Sequence, residues 1–258
     1  MMHPATTTVK VSGEAETLGA AAALLGFHPR NSVVLLCLSG PRRRIGPVIR
    51  MDLINGRIPE GAAHQLAEYG DRYADEAVVI TFTDLGAAAA PDTTALVAAI
   101  RGVCPVLQVI DACNTPCDVP DQLRAAAVFN GRAVLPDRAA LSRSVEHHPA
   151  APPTRPDLAD AMRTAQGRDR YLTATRTDPA AVPELVTAAQ GAADTDPAAP
   201  NICAALALLA YRRGDGALAQ VAIDRTLRLS PTHRLAHLIL AVIAAALPPT
   251  GLDDVLRP

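Results

Sequence analysis

"LLGFHPRNSVVLLCLSGPRRRIGPVIRMDL", residues 24–53, decides the fold. Its apolar run from Ser32 to Ser39 is short, β-branched at its start and bounded by Asn31 and Gly40, the marks of a buried strand. "IGPVIRMDL" follows across an Arg-rich tip, so the two segments are predicted to pair as a hairpin. Arg42, Arg43 and Arg44, directly after Ser39, Gly40 and Pro41, read as the solvated tip of that hairpin. Upstream, "GEAETLGAAAALLGF" carries Leu18, Ala22 and Leu25 at helical spacing, with Gly26 as its stop. A Thr-rich edge strand is expected at residues 6–11.

Downstream the pattern alternates. A helix is predicted from Pro59 to Tyr73, where Ala62, Leu66 and Tyr69 recur at helical spacing, and "EAVVITFTD" after it is a strand. The Pro-Asp-Thr-Thr stretch at 91–94 starts another helix through Ile100, and "VLQVIDA" is a further buried strand. Strands alternating with helices predict an α/β fold with a mostly parallel sheet, the first hairpin supplying an antiparallel edge.

"HHPAAPPTRP", residues 147–156, is Pro-rich and aperiodic, which places an α/β domain at 1–146, a linker at 147–156 and an all-helical domain at 157–258. In the last part, "ALALLAYRRGDGALAQVAIDRTLRLSPTHRLAHLILAVIAAA" spaces Ala207, Leu209, Ala210, Ala219, Ala222 and Ile223 to interlock two antiparallel helices across Gly214-Asp215. Ala207, Gly214, Asp215, Ala219, Ile223, Leu227 and Pro231 resemble the signature of a tetratricopeptide repeat, with Thr226 departing from the usual Ala. One such unit is too few for a free-standing array, so the hairpin must lean on neighbouring elements.

The chain has 258 residues, 49% of them apolar but only 3% aromatic and none of them Trp, so stacking platforms for bases are not expected. Lys10 is the only lysine among 24 basic residues, a bias that reflects GC-rich coding. A net charge of -2 provides no global field for nucleic acid or an anionic membrane. No apolar run is long enough to span a bilayer and the start lacks a signal-peptide pattern, so a cytoplasmic protein is expected. Five cysteines, Cys37, Cys104, Cys113, Cys117 and Cys203, suit a reducing compartment.

The sequence contains no G-x-G-x-x-G after a strand, no P-loop, no G-x-S-x-G and no H-E-x-x-H, so no catalytic residue, cofactor or metal is assigned from it. Cys113 and Cys117 with His147 and His148 offer the right ligand types for zinc, but C-x3-C beside a flexible stretch is a poor zinc signature. Asp84 and Asp111 end the two clearest strands, where ligands often bind in α/β sheets, yet they equally serve as turn caps. The ligand-binding candidates are His28, Arg30, Asn31 and Ser32 in the helix-to-strand loop, joined by Arg50 and Asp52, which share one face of a strand. Gly26 and Pro29 also explain the loop as a plain turn, with Arg50 and Asp52 as a salt link.

"LLGFHPRNSVV", "GRAVLPDRAAL" and "GDGALAQVAIDRTLRLSPTHRLAHLILAVIAAALPP" together resemble an actinobacterial family known as domain of unknown function 4192. The resemblance implies a cytoplasmic actinobacterial protein and brings no reaction, cofactor or catalytic residue. Members carry a longer aromatic and cysteine-containing insert ahead of the segment matching Gly131–Leu141, where this chain has only "ACNTPCDVP". The functional expectation is a non-enzymatic protein-interaction or scaffold module; the alternative is a sensor or enzyme for a small anionic ligand, with its site near residues 27–32.

Overall fold

The computed structural model describes residues 9–83, 93–113, 117–129, 133–245 and 247–249, and divides the chain into two units, 1–138 and 139–258. The first unit begins with α1 (Gly13–Leu25), stopped by Gly26 in the left-handed conformation at φ 77°, as its position after the apolar stripe predicts. The strand β1 (Ser32–Ser39) turns through Gly40 (φ 69°) and Arg43 (φ 49°) into β2 (Arg44–Asp52). Then follow α2 (Ala62–Tyr73), β3 (Glu76–Thr83), α3 (Thr94–Arg101), β4 (Val106–Cys113) and α4 (Asp121–Phe129). Residues 9–12 form no strand, and the remainder of the expected 6–11 strand lies outside the described residues, as does Asp84.

The four strands lie in the order β2-β1-β3-β4. β1 pairs antiparallel with both β2 and β3, and only β3 with β4 is parallel. The expectation of a mostly parallel sheet with the hairpin at its edge is therefore corrected. Alternation of strand and helix did set strand direction, since β2, β3 and β4 all run the same way. It did not set neighbours: the β2-α2-β3 crossover steps over β1, which enters the centre and makes two of the three pairings antiparallel. Central placement explains why Val33 to Leu38 are all buried.

Val33, Leu35, Cys37, Ala77 and Val79 face Leu66 of α2 and Leu96 and Ile100 of α3 in one apolar core. The alternate residues Val34, Leu36, Ile80 and Phe82 are equally buried on the opposite face, the side served by α1, which packs against β2 and α4.

In the second unit, α5 (Arg138–Arg143), α6 (Pro156–Met162), α7 (Ala165–Ala174) and α8 (Ala181–Gly191) precede α9 (Ala199–Arg212), α10 (Gly216–Leu229) and α11 (Arg234–Ala244). Helix α9 touches α6, α7, α8, α10 and α11, and every residue from Ile202 to Ala210 is buried. A helix apolar on all sides belongs at the centre of a bundle. Gly214 at φ 73° turns the chain, and Asp215 caps α10 by accepting from the Leu218 N–H at 3.0 Å. The Pro-rich stretch 147–156, expected as an interdomain linker, lies within this unit: the His148 N–H donates to Gln190 O at 2.8 Å and Thr154 Oγ1 to Ala188 O at 3.0 Å.

Candidate functional site

The loop after α1 is fixed by backbone bonds: the His28 N–H donates to Leu135 O at 3.0 Å and the Leu135 N–H to Gly26 O at 2.8 Å. Phe27, 2% exposed, anchors it from below. Asn31 takes a positive φ of 43°, and its carbonyl accepts from the Leu53 N–H at 2.7 Å, which ties the start of β1 to the end of β2. Register then sets Ser32 between Asp52 on β2 and Phe82 on β3. His28, Arg30, Asn31, Ser32, Arg50 and Asp52 thus gather where β1 begins and β2 and β3 end, the edge at which α/β sheets commonly bind ligands.

His28 Nδ1 accepts from the Cys117 N–H at 3.2 Å, which places the ring proton on Nε2. Burial lowers the imidazole's pKa, and the nearby charges of Arg124 and Arg30 lower it further. Arg50 projects its guanidinium 5.4 Å from the centre of the Phe27 ring, a cation–π contact. Its Nη2 donates to Asp52 Oδ1 and, at 3.5 Å, to Arg30 O. The Arg50 side chain is 11% exposed and that of Asp52 59%. Arg50 Nε and Ser32 Oγ are both buried and have no hydrogen-bond partner among the described residues.

Of the other candidates, Cys117 reaches this edge through its backbone N–H on His28. Asp111 pairs in register with Thr81 and is exposed. Burial raises the pKa of the Cys117 thiol, and among the described residues no group of three metal-ligating side chains occurs. In the second unit, His147 Nδ1 lies 3.0 Å from Gln190 O and His148 Nδ1 accepts from the Ala150 N–H at 3.3 Å, so both rings serve the backbone. Cys37 and Cys203 are deeply buried, which pushes their thiols up to about 12 and about 11, far from thiolate reactivity.

Sequence reasoning missed two polar networks of the helical unit. Arg225, 1% exposed, donates to the carbonyls of Val145, Ala189 and Ala192 and to Asp194. Its position at i+7 from Leu218 and i+3 from Ala222, on the apolar stripe of α10, was the available signal. Arg168 and His233 converge on Asn201 Oδ1, at 3.0 and 3.1 Å, while Asn201 Nδ2 donates to Met162 O at 2.8 Å. Open grooves run along α6 and α7, lined by exposed and mutually paired groups such as Arg155 and Asp157.

A family model described as Domain of unknown function (DUF4192) matches residues 15–115 and 156–250, and the chain belongs to that family. No curated protein and no solved structure matches it.

Proposed function

We propose that this family member is a non-enzymatic protein-interaction module and that β4 is its docking element. The observation that carries this is the run of apolar side chains left in solvent around that edge strand: Val103, Leu107 and Val109 are 43%, 41% and 37% exposed. The opposite edge, β2, is guarded by Arg44, Pro47, Arg50, Asp52 and a register shift against β1, devices that discourage another strand from adding. β4, "VLQVIDAC", has no Lys, Arg or Pro and a single charge at Asp111, and its irregularity against β3 is confined to its first residues. An extended, uncharged segment of a partner protein would gain main-chain hydrogen bonds from this edge and apolar contacts from its side chains.

The enclosure of α9 supports reading the tetratricopeptide-like hairpin as bundle core, a setting in which it offers no open groove. A cytoplasmic, reducing setting in an actinobacterium completes the proposal, supported by the unbridged thiols of Cys37, Cys104 and Cys203. No helix among the described residues is long and apolar enough to cross a membrane.

The test is site-specific photo-crosslinking in cells from the exposed position Gln108 of the full chain. The expected result is one adduct with an extended segment of another protein, lost when Leu107→Lys and Val109→Lys are introduced together. No protein adduct, or the same adduct in the lysine variant, would refute the docking role.

A further inference from the structure

We propose that the edge formed by His28, Arg30, Ser32 and Arg50 is a phosphate-binding site at which Asp52 competes with the ligand for Arg50. The argument begins with two buried donors. Among the described residues Ser32 Oγ and Arg50 Nε each lack an acceptor, and leaving such a group unpaired in the interior is costly. They are neighbours by register: Ser32 lies opposite Asp52 and Arg50 opposite Val34, so Ser32, Arg50 and Asp52 project from the same face of adjacent strands. We assign these two donors to an oxyanion of the ligand.

Arg50 is built to wait for it. The Phe27 ring and the Arg30 carbonyl hold the guanidinium in place, which removes most of the entropy cost of presenting its fork. Among the described residues Asp52 is the only carboxylate bonded to Arg50, and it is mostly solvent-exposed, so it can swing away from the guanidinium. Asp52 thus places a carboxylate where the ligand's negative charge would compete for Arg50.

The surroundings select the anion. Arg30 is exposed in the same loop, and His28 offers an Nε2–H because its Nδ1 is occupied by the Cys117 amide. Arg124 adds positive charge near the imidazole. An imidazole, two guanidinium groups and a hydroxyl on one sheet edge supply donors enough for the three free oxygens of a phosphomonoester. This site is independent of the docking role proposed for β4.

The test titrates inorganic phosphate into the full chain at constant ionic strength, following the backbone amides of residues 27–32 and 48–53 by NMR. Saturable shifts are expected in the wild type. Arg30→Ala, a change at an exposed position, should weaken binding severalfold while leaving the fold intact. Arg50→Gln should abolish it. Asp52→Asn should tighten it by roughly fivefold, the order of one exposed ion pair removed as competitor. A merely structural Arg50–Asp52 pair predicts the opposite sign or no effect, so absence of saturable shifts in both the wild type and Asp52→Asn, or a failure of Asp52→Asn to tighten binding, overturns the proposal. A second arm compares glycerol 3-phosphate with vesicles of phosphatidylcholine carrying phosphatidic acid. Binding of the soluble ester alone marks a metabolite site; sedimentation with the vesicles that Arg30→Ala removes marks a lipid headgroup.

Discussion

Arg225 Nη2 donates to Asp194 Oδ1 at 2.9 Å from a side chain with no exposed surface, and the same guanidinium holds three backbone carbonyls. Asp194 is held below its ordinary pKa first by its hydrogen bond to Arg228, then by Arg225, against the opposing effect of burial. Removing a buried charge's partners is costly because what remains is left unpaired. Arg225→Met should therefore destabilise the protein by about 3 kcal/mol or more, since the carbonyls of Val145, Ala189 and Ala192 lose their donor. Arg228, 49% exposed, bonds Asp194 and Glu146 from the surface, and Arg228→Ala should cost at most about 1 kcal/mol. Urea unfolding of both variants checks the contrast; equal losses would mean that Arg225 is not the hub.

His233 caps α11 by accepting from the Ala236 N–H at 3.3 Å through Nδ1, so its Nε2–H donates to Asn201. Burial lowers its pKa, with Arg168 adding to the effect, and His28 is lowered as well. A histidine lowered in the folded state binds fewer protons there than in the unfolded chain. Stability is then full above the ordinary value of 6.5 and falls as the pH drops below it, by no more than about 1.4 kcal/mol per pH unit for each ring. Asp194 contributes nothing in this window, because a lowered carboxylate loses its stabilising effect only at more acidic pH. Thermal melts between pH 7.5 and 5.5 should show the decline, and His233→Asn, which keeps a capping oxygen, should flatten it. An unchanged slope in that variant would assign the effect elsewhere.

The glycines divide by what surrounds them. A Cβ on Gly167 would stand 2.1 Å from Ala161 O, and one on Gly19 2.3 Å from Asp118 O, both against backbone that cannot step aside. Gly216, in the first turn of α10, has nothing within 4 Å. Gly216→Ala should stabilise by about 0.5–1 kcal/mol through helix propensity and a less flexible unfolded chain. Gly167→Ala and Gly19→Ala should instead destabilise by about 1–3 kcal/mol as overpacking. Denaturation midpoints of the three variants decide it; a stabilised Gly167→Ala would show that α6 and α7 are packed more loosely than described.

What could be read in advance was local. The Gly26 stop, the β1-β2 hairpin and the shared face of Arg50 and Asp52 all follow from spacings of a few residues. The insertion of β1 between β2 and β3 could not be read, because the pattern of β1 as an edge strand and as a central one differs only in how completely it is buried. The same limit hid the Phe27 ring under Arg50 and the Cys117 amide on His28, contacts between residues 23 and 89 positions apart. Arg225 broke the stripe of α10 visibly, but its acceptors lie 31 to 80 residues away.

Where the helical unit begins is the last expected outcome. The Pro-rich composition of 147–156 suggested a start at 157, yet residues 139–156 carry bonds that complete the bundle. Val145 O accepts from buried Arg225, Ser144 O accepts from Gln190 Nε2 at 2.8 Å, and the stretch from His148 to Thr154 bonds to the last turn of α8. Gly191 leaves room for Pro152, whose carbonyl would stand 2.3 Å from any Cβ at that position. A fragment of residues 139–258 should consequently melt in one cooperative transition, whereas 157–258 should be less stable by several kcal/mol, because Arg225 there lacks a carbonyl partner and the α8 surface is uncovered. Calorimetry of the two fragments measures the difference. Equal melting would show that residues 139–156 add nothing to the bundle and return the boundary to the Pro-rich stretch.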